Sequence, residues 1–85
     1  LRDSAVSSVA IQLRDVFANV LKIAASDIVD GTSPQDVATW DSLATVVLIG
    51  EIETHFSIQF DFDEMLEFEN FGSIANLVEK KFVAA

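Results

Sequence analysis

Residues 40–50 read Trp40-Asp41-Ser42-Leu43-Ala44-Thr45-Val46-Val47-Leu48-Ile49-Gly50, and this stretch decides the fold. Its β-branched run, residues 46–49, favours a strand by propensity alone. The spacing favours a helix, because apolar side chains recur at three- and four-residue steps. We therefore predict a helix over residues 42–56, whose inner stripe is Thr45, Leu48, Ile49, Ile52 and Phe56. Trp40, just before it, is predicted to pack the preceding loop against the bundle.

Two further amphipathic helices are predicted near the two ends of the chain. The first is capped by Asp3 or Ser4, and the last begins at a Ser73 cap. Lys80 and Lys81 complement the dipole of the last helix at its final turn. The predicted inner faces are Val6, Val9, Ala10, Leu13, Val16, Phe17, Val20 and Leu21 in the first helix, and Ile74, Leu77, Val78 and Phe82 in the last.

A long loop separates the first two predicted helices. Residues 24–39 lack periodicity and contain Gly31-Thr32-Ser33-Pro34, which is typical of a loop. Ile28 and Val29 are predicted to hold this loop to the core.

The segment after residue 56 alternates apolar and polar residues. Ile58, Phe60 and Phe62 have a strand period, but a single short strand would lack a partner, so we predict an extended connector. Residues 63–68 suit one or two helical turns, which residues 70–72 end. The sequence therefore predicts an all-α, four-helix bundle of three main helices and one short helix, in a single domain over residues 1–85.

Composition narrows the class of protein. The chain has 85 residues, about half of them apolar, and no cysteine, so disulfides and Cys-based metal sites are excluded. No apolar run approaches the roughly 20 residues that span a bilayer, and no signal-peptide pattern opens the chain. We expect a cytoplasmic monomer that does not insert into membranes.

The charge is strongly acidic. The formal net charge is −9, and no Lys or Arg occurs between Lys22 and Lys80. Such a surface repels nucleic acid and anionic lipid, and it steers the protein toward basic patches on partner proteins. A solvated acidic surface kept for solubility is the alternative.

Ser42 is the candidate functional residue. A serine nucleophile needs an adjacent base, but the only histidine, His55, lies about 20 Å further along the same predicted helix. We therefore expect no hydrolase activity and predict that His55 is a surface residue. The helix N-terminus at Ser42 does suit an anion such as a phosphodiester. Capping by Asp41 and Ser42 alone is the structural alternative.

A second apolar stripe on the same helix indicates a binding face. Leu43, Val47 and Gly50 lie at positions i, i+4 and i+7. A helix that is apolar on two faces is either fully buried or docks against a partner, and a small bundle offers little room for full burial.

At these residues the chain resembles the acyl carrier protein family. The resemblance covers nearly the whole length: the first helix, the long loop, Asp41-Ser42-Leu43, residues 52–56, and Phe71-Gly72-Ser73-Ile74. It implies that 4′-phosphopantetheine is attached to Ser42 by a phosphopantetheinyl transferase. It also implies that Asp41 assists recognition by the transferase and that Leu43 and Val46 lie near the arm or the partner surface. An acyl- or aminoacyl-loading ligase and downstream transferases or synthases would be further partners.

Departures from the family pattern predict a specialised carrier. Many carriers of fatty acid biosynthesis have acidic residues where this chain has Ala44 and Val47, and Thr54 and His55 also stand at commonly acidic positions. The cargo remains open among fatty acyl, hydroxyacyl, aminoacyl and polyketide groups. The predicted partner face consists of Leu43, Val46, Val47, Gly50 and Glu53. An acyl chain is predicted to be lined by Val46, Ile49, Met65 and Leu66.

Two functions of other classes stay open at this point. One is an unmodified acidic helical adaptor in which Asp41-Ser42-Leu43 is incidental. The other is a calcium module using Asp61, Asp63, Glu64 and Glu67, although an EF-hand loop wants glycine where Leu66 stands.

Overall fold

Four α-helices form the fold: α1 (Arg2–Leu21), α2 (Ser42–Phe56), α3 (Phe62–Met65) and α4 (Phe71–Ala84). This computed structural model describes the backbone of residues 2–84 and the side chains of residues 8–82. A 3₁₀ turn, Ala25–Asp27, interrupts the long loop, and the described residues contain no strand. The predicted all-α bundle is confirmed, and α2 has the predicted bounds. The first helix begins at Arg2, so Asp3 and Ser4 lie inside it rather than at its cap; their side chains, like that of Val6, lie outside the described residues.

The core forms where the apolar faces of α1, α2 and α4 meet around an aromatic cluster. Phe17 of α1 contacts Trp40 and Phe71 edge-on, with ring centroids 5.3 and 5.0 Å apart. Such edge-to-face pairs add about 0.5–1.5 kcal/mol each beyond the area they bury. The core residues of the three long helices are Val9, Leu13, Phe17, Leu21, Leu48, Ile52, Phe56, Phe71, Ile74, Ala75, Leu77 and Val78.

The long loop is held to the start of α4 by backbone hydrogen bonds. The Phe71 N–H donates to the Thr32 carbonyl and the Gly72 N–H to the Asp30 carbonyl, each over 2.8 Å. Gly72 allows this close approach without crowding, because a Cβ there would lie 3.0 Å from the Asp30 carbonyl oxygen. Ile28 is buried as predicted, but the prediction for Val29 was wrong, since its side chain is 60% exposed.

The start of α4 differs from the prediction. The helix begins at Phe71, with the Asn70 side chain accepting a hydrogen bond from the Ser73 N–H over 2.8 Å. Ser73 Oγ in turn accepts from the Asn70 N–H. The two residues form a reciprocal capping arrangement with Asn70 at the N-cap, so the assignment of the cap to Ser73 was wrong by three positions. Phe82, predicted to face inward, is 45% exposed.

The connector after α2 is extended as predicted, but its apolar alternation ends early. Ile58 and Phe60 are buried, whereas Phe62 is 72% exposed and begins α3. The α3 helix starts one residue earlier than predicted, because the Asp61–Glu64 capping box fixes its start. It is nevertheless shorter than predicted, since its last residue is Met65. This capping box occupies two of the carboxylates in the calcium hypothesis.

Glu64 also ties α3 to α4. Its Oε1 accepts from the Asp61 N–H over 2.9 Å and lies 3.0 Å from Lys81 Nζ. The hydrogen bond from the Asp61 backbone, followed by that from Lys81, lowers the pKa of Glu64 below its ordinary value of 4.5.

We expect Glu64→Gln to flatten the acid side of the stability profile. A carboxyl group whose pKa is lowered on folding adds stability above its ordinary pKa, and this contribution is lost as the pH falls through the lower folded value. Glutamine keeps an acceptor for the Asp61 N–H but removes the charge. Urea unfolding at pH 7 and at successive values below 4.5 measures the effect, with Glu67→Gln as the control. If the free energy of unfolding of Glu64→Gln falls with pH as steeply as that of the parent, the Glu64 charge does not contribute to stability.

Candidate functional site

The N-terminus of α2 presents Ser42 to solvent. Asp41 is the N-cap residue, with extended backbone angles, and its Oδ1 accepts from the Ala44 N–H over 2.9 Å. Ser42 is therefore the first helical residue rather than the cap, and it is exposed. An aspartate cap is worth roughly 1 kcal/mol to a helix. The cap thus fixes the helix start without using the Ser42 hydroxyl.

Trp40 holds this helix start to the core. Its side chain is 2% exposed, and its Nε1–H donates to Thr45 Oγ1 over 3.0 Å. The Thr45 hydroxyl donates in turn to the Asp41 carbonyl over 3.1 Å. The prediction that Trp40 packs the loop against the bundle is confirmed. The sequence analysis did not predict that the Thr45 hydroxyl would accept from Trp40 and donate to Asp41. The only indication in the sequence was a threonine five residues after the tryptophan.

The end of the loop is attached to α1 as well. The Thr39 hydroxyl donates to the Leu21 carbonyl over 2.6 Å, at the last turn of α1. Lys22 follows with a left-handed φ of 61°, which ends α1. The segment before Ser42 is therefore bonded to α1 through Thr39 and to α2 through Trp40.

The second apolar stripe of α2 lies on the surface, as predicted. Leu43 and Val47 of this stripe are 73% and 44% exposed, and Val46, which was also predicted to belong to the partner face, is 65% exposed. Gly50 is exposed in the same row. A cluster of exposed aliphatic side chains beside Ser42 fits contact with another molecule better than it fits contact with water.

Glu53 has an internal role that the sequence did not indicate. It is half-buried, and its Oε2 accepts from the Phe60 N–H over 2.9 Å. Its backbone carbonyl accepts from the N–H groups of Ser57 and Ile58, which closes the C-terminal turn of α2. Its predicted place in the partner face stays a prediction.

The residues predicted to line an acyl chain differ in exposure. Ile49 and Met65 are half-buried against the core. Leu66 and Val46 are instead 66% and 65% exposed. Their role toward an acyl chain also stays a prediction.

A groove runs between α1 and α2 from Ser42 toward the other end of the bundle. It has a volume of about 690 Å³ and begins at Asp41 and Leu43, the two neighbours of Ser42. At its far end the side chains of His55 and Gln12 are joined by a 2.8 Å hydrogen bond. His55 is exposed near the end of α2, as predicted.

The chemistry available to Ser42 follows from this arrangement. His55 lies thirteen residues along the same helix, about 20 Å away at 1.5 Å per residue. His55 is therefore too far away to take a proton from Ser42. The free N–H groups and the dipole of the helix start suit a phosphodiester on that oxygen. Within the described part of the chain, no group of three or more carboxylate, histidine or cysteine side chains is placed to hold a metal ion. No described helix has the length and apolar composition needed to cross a membrane.

Two of the matches with known proteins agree with this geometry. A family model described as a phosphopantetheine attachment site matches residues 12–78. Among solved structures, the chain is similar to a holo acyl carrier protein from Geobacter metallireducens, determined in solution by NMR. The two are 32% identical with a TM-score of 0.81, over 89% of this chain and 87% of that one. No curated protein sequence matches the chain.

Proposed function

Because the chain belongs to the phosphopantetheine attachment-site family, we propose that Ser42 is the residue that carries the prosthetic group. The protein is a carrier of the acyl carrier protein type, with 4′-phosphopantetheine as its covalent cofactor. The observation that supports Ser42 is its position: an exposed hydroxyl at the first residue of α2, inside the matched region. Asp41 and Leu43, on either side of it, would contact the arm or the transferase.

The residues present fit this group chemically. A serine oxygen forms the phosphodiester, and the N-terminus of a 15-residue helix stabilises its negative charge. In the attachment reaction the bond between Ser42 Oγ and phosphorus forms, the pyrophosphate bond of coenzyme A breaks, and adenosine bisphosphate leaves. The serine proton goes to a base of the transferase. Once attached, the group supplies a thiol that holds an acyl or aminoacyl cargo as a thioester.

In this proposal the chain itself does no catalysis. Its residues position the arm and present it to enzymes that load, modify and unload the cargo. We propose that it acts as a monomer in the cytoplasm, because a free thiol is kept reduced there. Transfer from coenzyme A tests the function directly: incubation with a broad-specificity phosphopantetheinyl transferase should raise the intact mass by one phosphopantetheine. An unchanged mass with both that transferase and a second one would favour the adaptor alternative.

We further propose that this carrier serves a specialised pathway of lipid metabolism whose enzymes dock on the apolar face of α2. The exposure of Leu43, Val46 and Val47 supports this. Carriers that dock through charge have carboxylates at the positions of Ala44 and Val47, as the family resemblance implies. Partner enzymes of this protein would instead present an apolar patch, with basic residues around it that complement the net charge of −9.

The double variant Ala44→Asp/Val47→Glu should weaken loading by the cognate ligase. Burying two new carboxylates against an apolar patch removes favourable contacts and adds a desolvation cost, so we expect kcat/KM to fall at least about tenfold, or 1.4 kcal/mol. The pair Ser26→Asp/Gln35→Glu adds the same charge on the exposed long loop and serves as the control. Equal loading of both double variants and the parent would contradict an apolar docking face.

A further inference from the structure

The groove between α1 and α2 has walls of two different helices and opens beside Ser42. The α2 wall includes Leu43, Val47 and Glu51, and the α1 wall includes Val16 and Asn19. Along α2 it extends from residue 43 to residue 55, about 18 Å at 1.5 Å per residue. This length suits an extended chain.

The lining of the groove combines apolar and polar groups. Val16 and Val20 of α1 are half-buried and face the exposed Val47 across the groove. Exposed carboxylates of Asp15 and Glu51 also line it and can accept hydrogen bonds.

One cation lies at the Ser42 end. Lys22 is exposed and lines the groove together with Asp41 and Leu43. It is the last basic residue before Lys80 in the sequence, so its position beside the helix start is notable in an otherwise acidic surface. At the mouth of the groove, Lys22 and the N-terminus of α2 offset the carboxylate of Asp41. Further along, where Asp15 and Glu51 line the groove, an uncharged ligand avoids repulsion.

We propose that this α1–α2 groove is the resting site of the phosphopantetheine arm on this carrier, an inference that rests on the attachment to Ser42 proposed above. The phosphate of the arm matches Lys22 and the start of α2, its geminal methyl groups match the side chains of Leu43 and Val47, and its two amide N–H groups match Asp15 and Glu51. Because the arm is tethered at the mouth of the groove, its effective concentration there is in the millimolar range. Even a weak contact is therefore substantially populated.

Three exposed apolar side chains of α2, α3 and the residue after α3 do not line the groove. Val46, Phe62 and Leu66 are 65%, 72% and 66% exposed, so their side chains project into solvent. Such side chains suit a partner protein that covers them. Resting the arm on the α1 side leaves these three side chains free for that contact, whereas a partner that also covers Leu43 and Val47 displaces the arm.

A spin label on the arm tests the resting site without any measurement of activity. The chain has no cysteine, so a thiol-specific nitroxide reacts with the arm alone once the holo-protein is made. We expect amide signals of Val16, Asn19 and Glu51 to lose about half their intensity or more relative to the ascorbate-reduced sample, because the tethered label is held near them. Signals of Phe62 and Leu66 should lose little.

A variant that fills the groove provides the matched control. Asn19 is exposed on the α1 wall, and Asn19→Phe should displace the arm and restore the signals of Val16 and Glu51. Broadening around Phe62 and Leu66, or broadening confined to residues next to Ser42, would overturn the proposed resting site. A protein that gains no mass from coenzyme A would instead overturn the attachment itself, so the two failures are distinguishable.

Discussion

Replacing Ser42 with alanine should abolish the gain in mass that coenzyme A and a phosphopantetheinyl transferase give the parent protein. The alanine lacks the oxygen that forms the phosphodiester. The fold should be unaffected, because the cap of α2 is Asp41 and the Ser42 side chain is exposed. Alanine is also the residue best tolerated inside a helix. Intact-mass measurement gives the result, and circular dichroism of the variant checks that the helices are retained.

A second exposed serine serves as the control for this experiment. Ser26 lies in the 3₁₀ turn of the long loop, and Ser26→Ala removes a hydroxyl of the same kind away from α2. This variant should gain one phosphopantetheine at the parent's rate. A mass gain in Ser42→Ala that matches that of Ser26→Ala would place the attachment on another residue and contradict the proposal.

The spacing of apolar residues predicted the fold correctly where no neighbouring residue favoured a different structure. The core stripe of α2 and its bounds at residues 42 and 56 followed from three- and four-residue spacing, and Leu48, Ile52 and Phe56 are buried as expected. The burial of Trp40 was also predictable, because a large aromatic side chain beside the start of a core helix buries its surface by packing against that core. Ser42 could be singled out because Asp41 and the apolar residues after it predict a helix start.

The details that sequence missed depend on competition between neighbouring residues. Asn70 and Ser73 both cap helices well, and only the bond from the Ser73 N–H to Asn70 decides between them. Phe62 continues an alternating pattern, but the capping box at Asp61 starts a helix there and directs its side chain outward. The hydrogen bond of Glu53 to the Phe60 N–H joins residues seven positions apart across a turn, which no periodicity encodes.

The site depends on tertiary contacts more than the helices do. The groove arises because α1 and α2 pack side by side, with Val16 and Val47 contributed by segments 31 positions apart. Each segment alone reads as an amphipathic helix, and neither shows which faces will be neighbours. Sequence therefore singles out Ser42 and predicts the exposed apolar stripe beside it, but it does not predict the depression that runs from them.

Replacing Trp40 with alanine should cause the largest loss of stability of the variants considered. The side chain is 2% exposed, contacts Phe17 edge-on at 5.3 Å and donates a hydrogen bond to Thr45. Truncating a buried tryptophan costs about 3–5 kcal/mol. Small domains have only about 5–15 kcal/mol of stability in total, so the variant should unfold at far lower urea concentration. Urea titration followed by far-UV circular dichroism measures the change.

The variant Trp40→Phe separates the packing of this side chain from its hydrogen bond. Phenylalanine keeps an aromatic ring against Phe17 but lacks the N–H that donates to Thr45 Oγ1. Losing that bond should cost about 1 kcal/mol, well below the cost of Trp40→Ala. Thr45 also donates to the carbonyl of Asp41, the residue before Ser42, so the lost bond should loosen the start of α2. Hydrogen exchange of the amides there should become faster even where the bundle stays folded. A free energy of unfolding of Trp40→Ala within about 0.5 kcal/mol of the parent's value, as is usual for surface substitutions, would contradict this prediction. The loop would then not be anchored through Trp40, and the position of Ser42 would need another cause.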